Sequence, residues 1–117
     1  MDFHPDNLLY AGAGPVVIDW MTAVRGNPFA DVARTVVMLA YASLPQGLPE
    51  PVKQGIMAVR KQFETSYLEA YLRSAKGSMD DVEQWYLPIM AARLCESIPL
   101  EEKDVLAKEI QQRLAVL

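Results

Sequence analysis

Residues 2–20 read DFHPDNLLYAGAGPVVIDW, and this stretch decides how the rest of the chain is read. LLYAGAGPVVID spells two short apolar strands around Gly12, Ala13 and Gly14, a hairpin with glycines where a turn needs positive φ. With the loop centred on Ala13, Tyr10 falls opposite Val16, Leu8 opposite Ile18 and Asn7 opposite Asp19. Directly opposed residues hold their Cα atoms about 4.5–5.5 Å apart. An amide oxygen and a carboxylate so placed can share one hard cation, which takes oxygen ligands at about 2.0–2.1 Å when it is Mg2+. Asp19 follows Val16, Val17 and Ile18, and a carboxylate ending a buried strand needs a partner or a metal. Two plainer roles stay open: Asp19 could cap a turn, and Asn7 could form an Asx turn after Pro5.

Working outward, the 117 residues suffice for a single domain, and 51% of them are apolar, enough for a core. No apolar run reaches the roughly 18–20 residues of a membrane span, and residues 1–30 show neither the basic nor the apolar region of a secretory signal. Cys95 stands alone, which excludes an internal disulfide and suits a reducing, cytoplasmic setting; it reads as a small buried apolar residue. The net charge is −4 and the pI about 4.9. Arg25, Arg34, Arg60, Arg73, Arg93 and Arg113 are scattered rather than striped, which argues against a nucleic-acid partner.

From Pro28 onward the pattern is helical, so the fold class is mainly α: a β-hairpin within residues 1–19, then about four helices over 28–117. Asn27 is an N-cap and Pro28 suits the first helical position. The first helix, about Pro28 to Leu44, is apolar almost all round and belongs at the centre of the domain. LPQGLPEP breaks it. The second, about Pro51 to Ala75, carries Val52, Ile56, Val59, Phe63, Tyr67 and Ala70 on one face. Ser78 and Asp81 form a capping box for a third helix through Leu94, with a kink expected at Pro88. Pro99 introduces the last, with Leu106, Ile110, Leu114 and Leu117 inward and Lys108, Glu109, Gln111, Gln112 and Arg113 in solvent.

DFHPDN at residues 2–7, IDW at 18–20 and GNPFADVART at 26–35 together resemble the catalytic segment of the aminoglycoside phosphotransferase and choline kinase family. Its pattern is H-G-D-x-H-P-x-N, a strand ending I-D-W or I-D-F, then G-x-P-x-x-D-[LV]-A. The resemblance implies the C-terminal lobe of a protein-kinase-like fold, Mg2+ and ATP as cofactors, and a small-molecule hydroxyl as acceptor. By position it implies that Asp2 orients the acceptor hydroxyl, that Asn7 and Asp19 hold Mg2+ on the nucleotide phosphates, and that His4 braces the loop or touches phosphate. It also implies that Asp31 ties the central helix to the loop backbone. Phosphoryl transfer is mostly positioning and charge stabilisation, which suits these residue types.

The family's histidine and glycine have no counterpart ahead of Asp2, and no β-rich segment here can serve as the nucleotide-binding lobe. Lys53, Lys61, Lys76, Lys103 and Lys108 all follow the metal residues. The expectation is a lobe that is inactive alone, with Asp2 held by nothing before it. Apolar surface left on the hairpin and central helix should seek either the missing lobe or a second copy in a homodimer. Acidic residues often line the family's acceptor pocket; Asp80, Asp81, Glu83 and Glu96 are candidates, and Trp20, Trp85 and Tyr86 could add aromatic walls.

Overall fold

The computed structural model describes residues 2–117. A short 3-10 turn at Pro5–Asn7 leads into β1 (Leu8–Ala11), which pairs antiparallel with β2 (Gly14–Val17). Helices follow at α1 (Pro28–Tyr41), α2 (Glu50–Ala75), α3 (Met79–Glu83), α4 (Tyr86–Leu94) and α5 (Leu100–Ala115). The protein is thus mainly helical with one N-terminal hairpin, as its sequence predicts.

The hairpin register differs from the expected one by a single residue. Leu8 pairs with Val17, Tyr10 with Pro15 and Ala11 with Gly14, across a two-residue turn at Gly12 and Ala13. Gly14 adopts φ +120, a conformation side chains resist, and this lets β2 start one residue earlier than a loop centred on Ala13 allows. Asn7 consequently opposes Ile18, whose N–H donates to the Asn7 carbonyl at 2.9 Å, and Asp19 lies one residue beyond the ladder.

The first helix begins where the sequence says: Asn27 Oδ1 accepts from the Phe29 N–H at 2.9 Å, with Pro28 in the first turn. It ends at Tyr41, short of the expected Leu44. Pro45 has no N–H for a helical bond to the Tyr41 carbonyl, and its ring clashes there and pushes Leu44 out of helical geometry. The third expected helix is broken into α3 and α4. Pro88 lies in the first turn of α4, and its ring excludes a continuous helix through the Gln84 carbonyl, so the break falls before the proline rather than at it. The capping box forms, with the Ser78 N–H donating to Asp81 Oδ2 at 2.8 Å. Gly77, after the left-handed Lys76, lies against Phe29; a Cβ there would come within 2.5 Å of the ring.

Helix α1 is the hub and packs on all four other helices. Its Val32, Ala33, Val36 and Val37 meet Val82 of α3, Tyr86 and Met90 of α4, and Leu106 of α5. The apolar stripe of α2 has two fates. Tyr67, Leu68, Tyr71 and Leu72 pack against the core, while Val52, Ile56 and Val59 lean over a cleft, and no residue of α2 is fully buried. On α5, Leu106 and Ile110 turn inward but Leu114 and Leu117 are exposed; Arg113 instead lies over the Tyr86 ring, 5.3 Å from its centre. Cys95 is exposed, contrary to the buried role expected of it, because it caps the C-terminal end of α4 outside the packed face.

Phe63, Tyr67 and Tyr71 step along α2 as a ladder, with ring centres 6.2 Å apart at each step. Desolvation, with the charge of Asp31 nearby and despite a hydrogen bond with Thr35, pushes the Tyr67 hydroxyl up to about 12. In the unfolded chain the same group ionises near 10. Between those values the unfolded state gives up its proton first, so the stabilising contribution is complete below pH 10 and is lost as pH climbs toward 12. Thermal melts from pH 8 to 12 should show Tm falling across that window, and Tyr67→Phe should fall less steeply.

Candidate active site

The segment Asp2–Asn7 is pinned from three sides. The Thr35 hydroxyl, fully buried on α1, donates to the Phe3 carbonyl at 2.8 Å and has a longer contact of 3.4 Å to the Asp31 carbonyl. The Phe3 ring stacks on Tyr67 of α2 at 5.5 Å. The Asp2 carboxylate lies against Arg34 of α1, with Nη2 donating to Oδ1 at 3.3 Å. Asp2 is therefore held from the side of the helical body, a support separate from any chain before it. Asp31 is half-buried one turn before Thr35 with its Oδ1 enclosed. A tie from α1 to the loop backbone runs through Thr35, a residue the sequence reading passed over.

Asn7 is the best-defined polar residue of the segment and is itself buried. Its Nδ2 donates to the Asp2 carbonyl at 2.8 Å and lies 3.2 Å from His4 Nε2. A carbonyl can only accept, so the amide orientation is fixed by chemistry. Both amide protons are then used, one on Asp2 and one on His4, and His4 carries its proton on Nδ1, the side that faces Asp6 at 4.0 Å. Asn7 Oδ1 is left as an acceptor. His4 Nε2 also lies 3.5 Å from Asp2 Oδ2, but with its lone pair turned to the Asn7 amide it has no proton for that carboxylate, so the imidazole holds the amide and only flanks the acid.

Asp19 stands apart from this cluster in sequence and in backbone. It takes a left-handed conformation at φ 60, and its Oδ1 accepts from the Met21 N–H at 3.4 Å. That Asx-type contact is one of the plainer roles the sequence left open. It occupies one oxygen and leaves the other. Hard oxygen donors at Asn7 and Asp19 fit Mg2+, which is held by few protein ligands together with phosphate oxygens. Among the described residues, no three His, Cys, Asp or Glu side chains converge on a metal-sized site.

Asp2 and His4 line a cleft of about 790 Å3 between the loop, α1 and α2, within the range of small-molecule sites. One wall is apolar: Met38, Leu39, Val52, Ile56 and Val59. The other is charged, and its charges form a relay. Glu102, 3% exposed, accepts from Arg93 Nε at 2.6 Å and from the Ser43 N–H at 3.2 Å. Arg93 Nη1 reaches Glu96 Oε2 at 3.2 Å, Arg34 Nη1 reaches Glu96 Oε1 at 2.7 Å, and Arg34 goes on to Asp2. Burial alone would lower the Arg34 pKa, but the hydrogen bond and charge of Glu96, then Asp2, outweigh it and hold the guanidinium firmly protonated. Of the acidic candidates for an acceptor pocket, only Glu96 lines the cleft, and both its oxygens are taken by arginines; Asp81 serves as a cap. Trp20 is exposed, with its Nε1 donating to the Val17 carbonyl at 3.0 Å, and Tyr86 is in the core.

The loop thus sets a carboxylate held by Arg34 and an oriented amide beside a ligand-sized cleft. The family model described as the phosphotransferase enzyme family matches residues 1–86, and the chain belongs to that family. Searches of curated proteins and of solved structures found no significant match.

Replacing Thr35 with Val should cost about 1–3 kcal/mol of stability, since it strands the Phe3 carbonyl and fills the space with a methyl. Chemical denaturation reads the loss. Residue-resolved NMR should show Asp2–Asn7 shifting more than α5.

Proposed function

We propose that these residues form the helical, acceptor-side half of an ATP-dependent phosphotransferase that acts on a small-molecule hydroxyl. The observation that carries this reading is the Asp2 carboxylate: Arg34 engages one oxygen, while the other faces His4 at the wall of the cleft. An acceptor hydroxyl bound there gives its proton to Asp2. Its oxygen forms the new bond to the γ-phosphorus as the bond to the bridging oxygen of ADP breaks. Asn7 and Asp19 are the residues that would hold Mg2+, which would supply charge neutralisation on the phosphates. Asn7 presents Oδ1 because Asp2 and His4 take both its amide protons.

Covering a nucleotide takes a β-sheet lobe, and the sheet among the described residues is a two-stranded hairpin. These 117 residues by themselves therefore transfer no phosphate. The exposed face of the hairpin and the segment after it, with Tyr10, Trp20, Met21 and Val24, seats either that lobe or a second copy of the chain. Among the described residues, no helix is long and apolar enough to cross a membrane.

The cleft takes its lining from the loop and several helices of this chain, which supports a second reading: a non-catalytic module that keeps the acceptor pocket. Titration of the 15N-labelled chain with MgATP separates the two. Shifts at Asn7 and Asp19, abolished in Asp19→Ala, support the phosphotransferase reading; a silent site favours the module. A coupled assay of the purified chain with MgATP and small alcohols should give no turnover. Sedimentation showing a strict monomer at high micromolar concentration would rule out the second copy as occupant of the hairpin face.

A further inference from the structure

Among the described residues, the cleft holds one arginine with no carboxylate partner. Among the described residues, Arg34 and Arg93 are paired with Asp2, Glu96 and Glu102. Arg60, from the same cleft wall of α2, donates Nη1 to the Ala42 carbonyl at 2.6 Å and has no acidic partner. A guanidinium carries five N–H donors, so this contact fixes its position and leaves most of its donors open. The cleft's own carboxylates offer little to a cationic guest. Glu96 is clamped between two arginines, Asp2 is held by Arg34, and the Asp6 side chain is almost wholly in solvent. Beside Arg60, α2 presents Val52, Ile56 and Val59, faced by Met38 and Leu39 of α1.

We propose that the acceptor is an anionic hydroxy compound with an apolar body, its carboxylate or phosphate held by the Arg60 guanidinium and its chain lying on the Val52–Ile56–Val59 face. This rests on the phosphotransferase reading and names the class of acceptor. A planar guanidinium with free donors matches carboxylate and phosphate oxygens in a forked geometry. The bond to Ala42 ties it to the end of α1, so little side-chain freedom is lost on binding. The apolar wall contributes by burial and sets no charge preference of its own. A polyamine or sugar amine would meet the unneutralised cation and an apolar surface that cannot hydrogen-bond to it.

The test is calorimetric titration of the full chain, without nucleotide or Mg2+, against 3-hydroxyoctanoate, its methyl ester, octyl phosphate, octanol, choline and kanamycin. The expected result is that each anion binds at least about tenfold more tightly than its neutral analogue, with choline and kanamycin weakest. Arg60→Gln should erase that ratio, and Arg60→Lys should keep part of it. Val59→Glu, at an exposed position, should weaken the anions more than the neutral compounds, and it tests the idea even if Arg60 variants lose the end of α1. Circular dichroism confirms that each variant is folded. Equal binding of acid and ester, tighter binding of choline or kanamycin, or no binding of either anion overturns the proposal. These readouts need no phosphate transfer, so they can fail while the MgATP titration succeeds, and the reverse.

Discussion

The hydrogen bond from Thr35 to the Phe3 carbonyl is the constraint on which the site depends. Helix α1 is surrounded by other helices and buries Val32, Ala33, Val36 and Val37. A hydroxyl enclosed among such neighbours needs an acceptor, and the Phe3 carbonyl at 2.8 Å meets that need better than the Asp31 carbonyl of its own helix at 3.4 Å. The same contact satisfies a backbone group that would otherwise be left between the loop and the helix. Asp2, His4 and Asn7 then inherit their positions from the core of the domain. Arg34, the residue before Thr35, reaches the Asp2 side chain from the same turn, so backbone and carboxylate are fixed from one place.

The Asp2–Asn7 loop is thereby coupled to the far side of the helical body. Alternating charges run from Asp2 through Arg34, Glu96 and Arg93 to Glu102, whose second oxygen accepts from the backbone where α1 gives way to the loop before α2. Buried charges persist only where each has a partner, and here each carboxylate and guanidinium borrows its partner from a different element. The relay joins the Asp2–Asn7 loop, α1, the end of α4 and the start of α5. It also uses up the carboxylates that would otherwise give the cleft a negative wall.

Much of the fold was legible because its signals are local. Asn27 and Pro28 start α1, Ser78 and Asp81 start α3, and the prolines between α1 and α2 separate them, as these residue types require. The hairpin was legible as a hairpin but not in its register: Gly12 and Gly14 both tolerate unusual φ, and the choice between them moves every pairing by one residue. The identities of the loop residues Asp2, His4, Asn7 and Asp19 could be read in order, since motif spacing is a property of the chain. Thr35 and the relay could not. Residues 34, 93, 96 and 102 lie on three helical turns and a loop with no shared period, and arginines that look scattered along the sequence meet only once α1, α2 and α4 have packed. Cys95 was misplaced for a related reason, because whether a residue at a helix end is covered depends on neighbours the local pattern does not name.

Helix α2 divides its labour along its length. Its later turns join the core through Tyr67 and Tyr71, while Val52, Ile56 and Val59 line the cleft without being needed to close it off from solvent. The surface that greets the guest is therefore the one whose alteration perturbs folding least. Over evolutionary time a lineage with this architecture can reshape the cleft by changing these three aliphatic positions, while Thr35 and the arginine relay stay put and keep the loop in register.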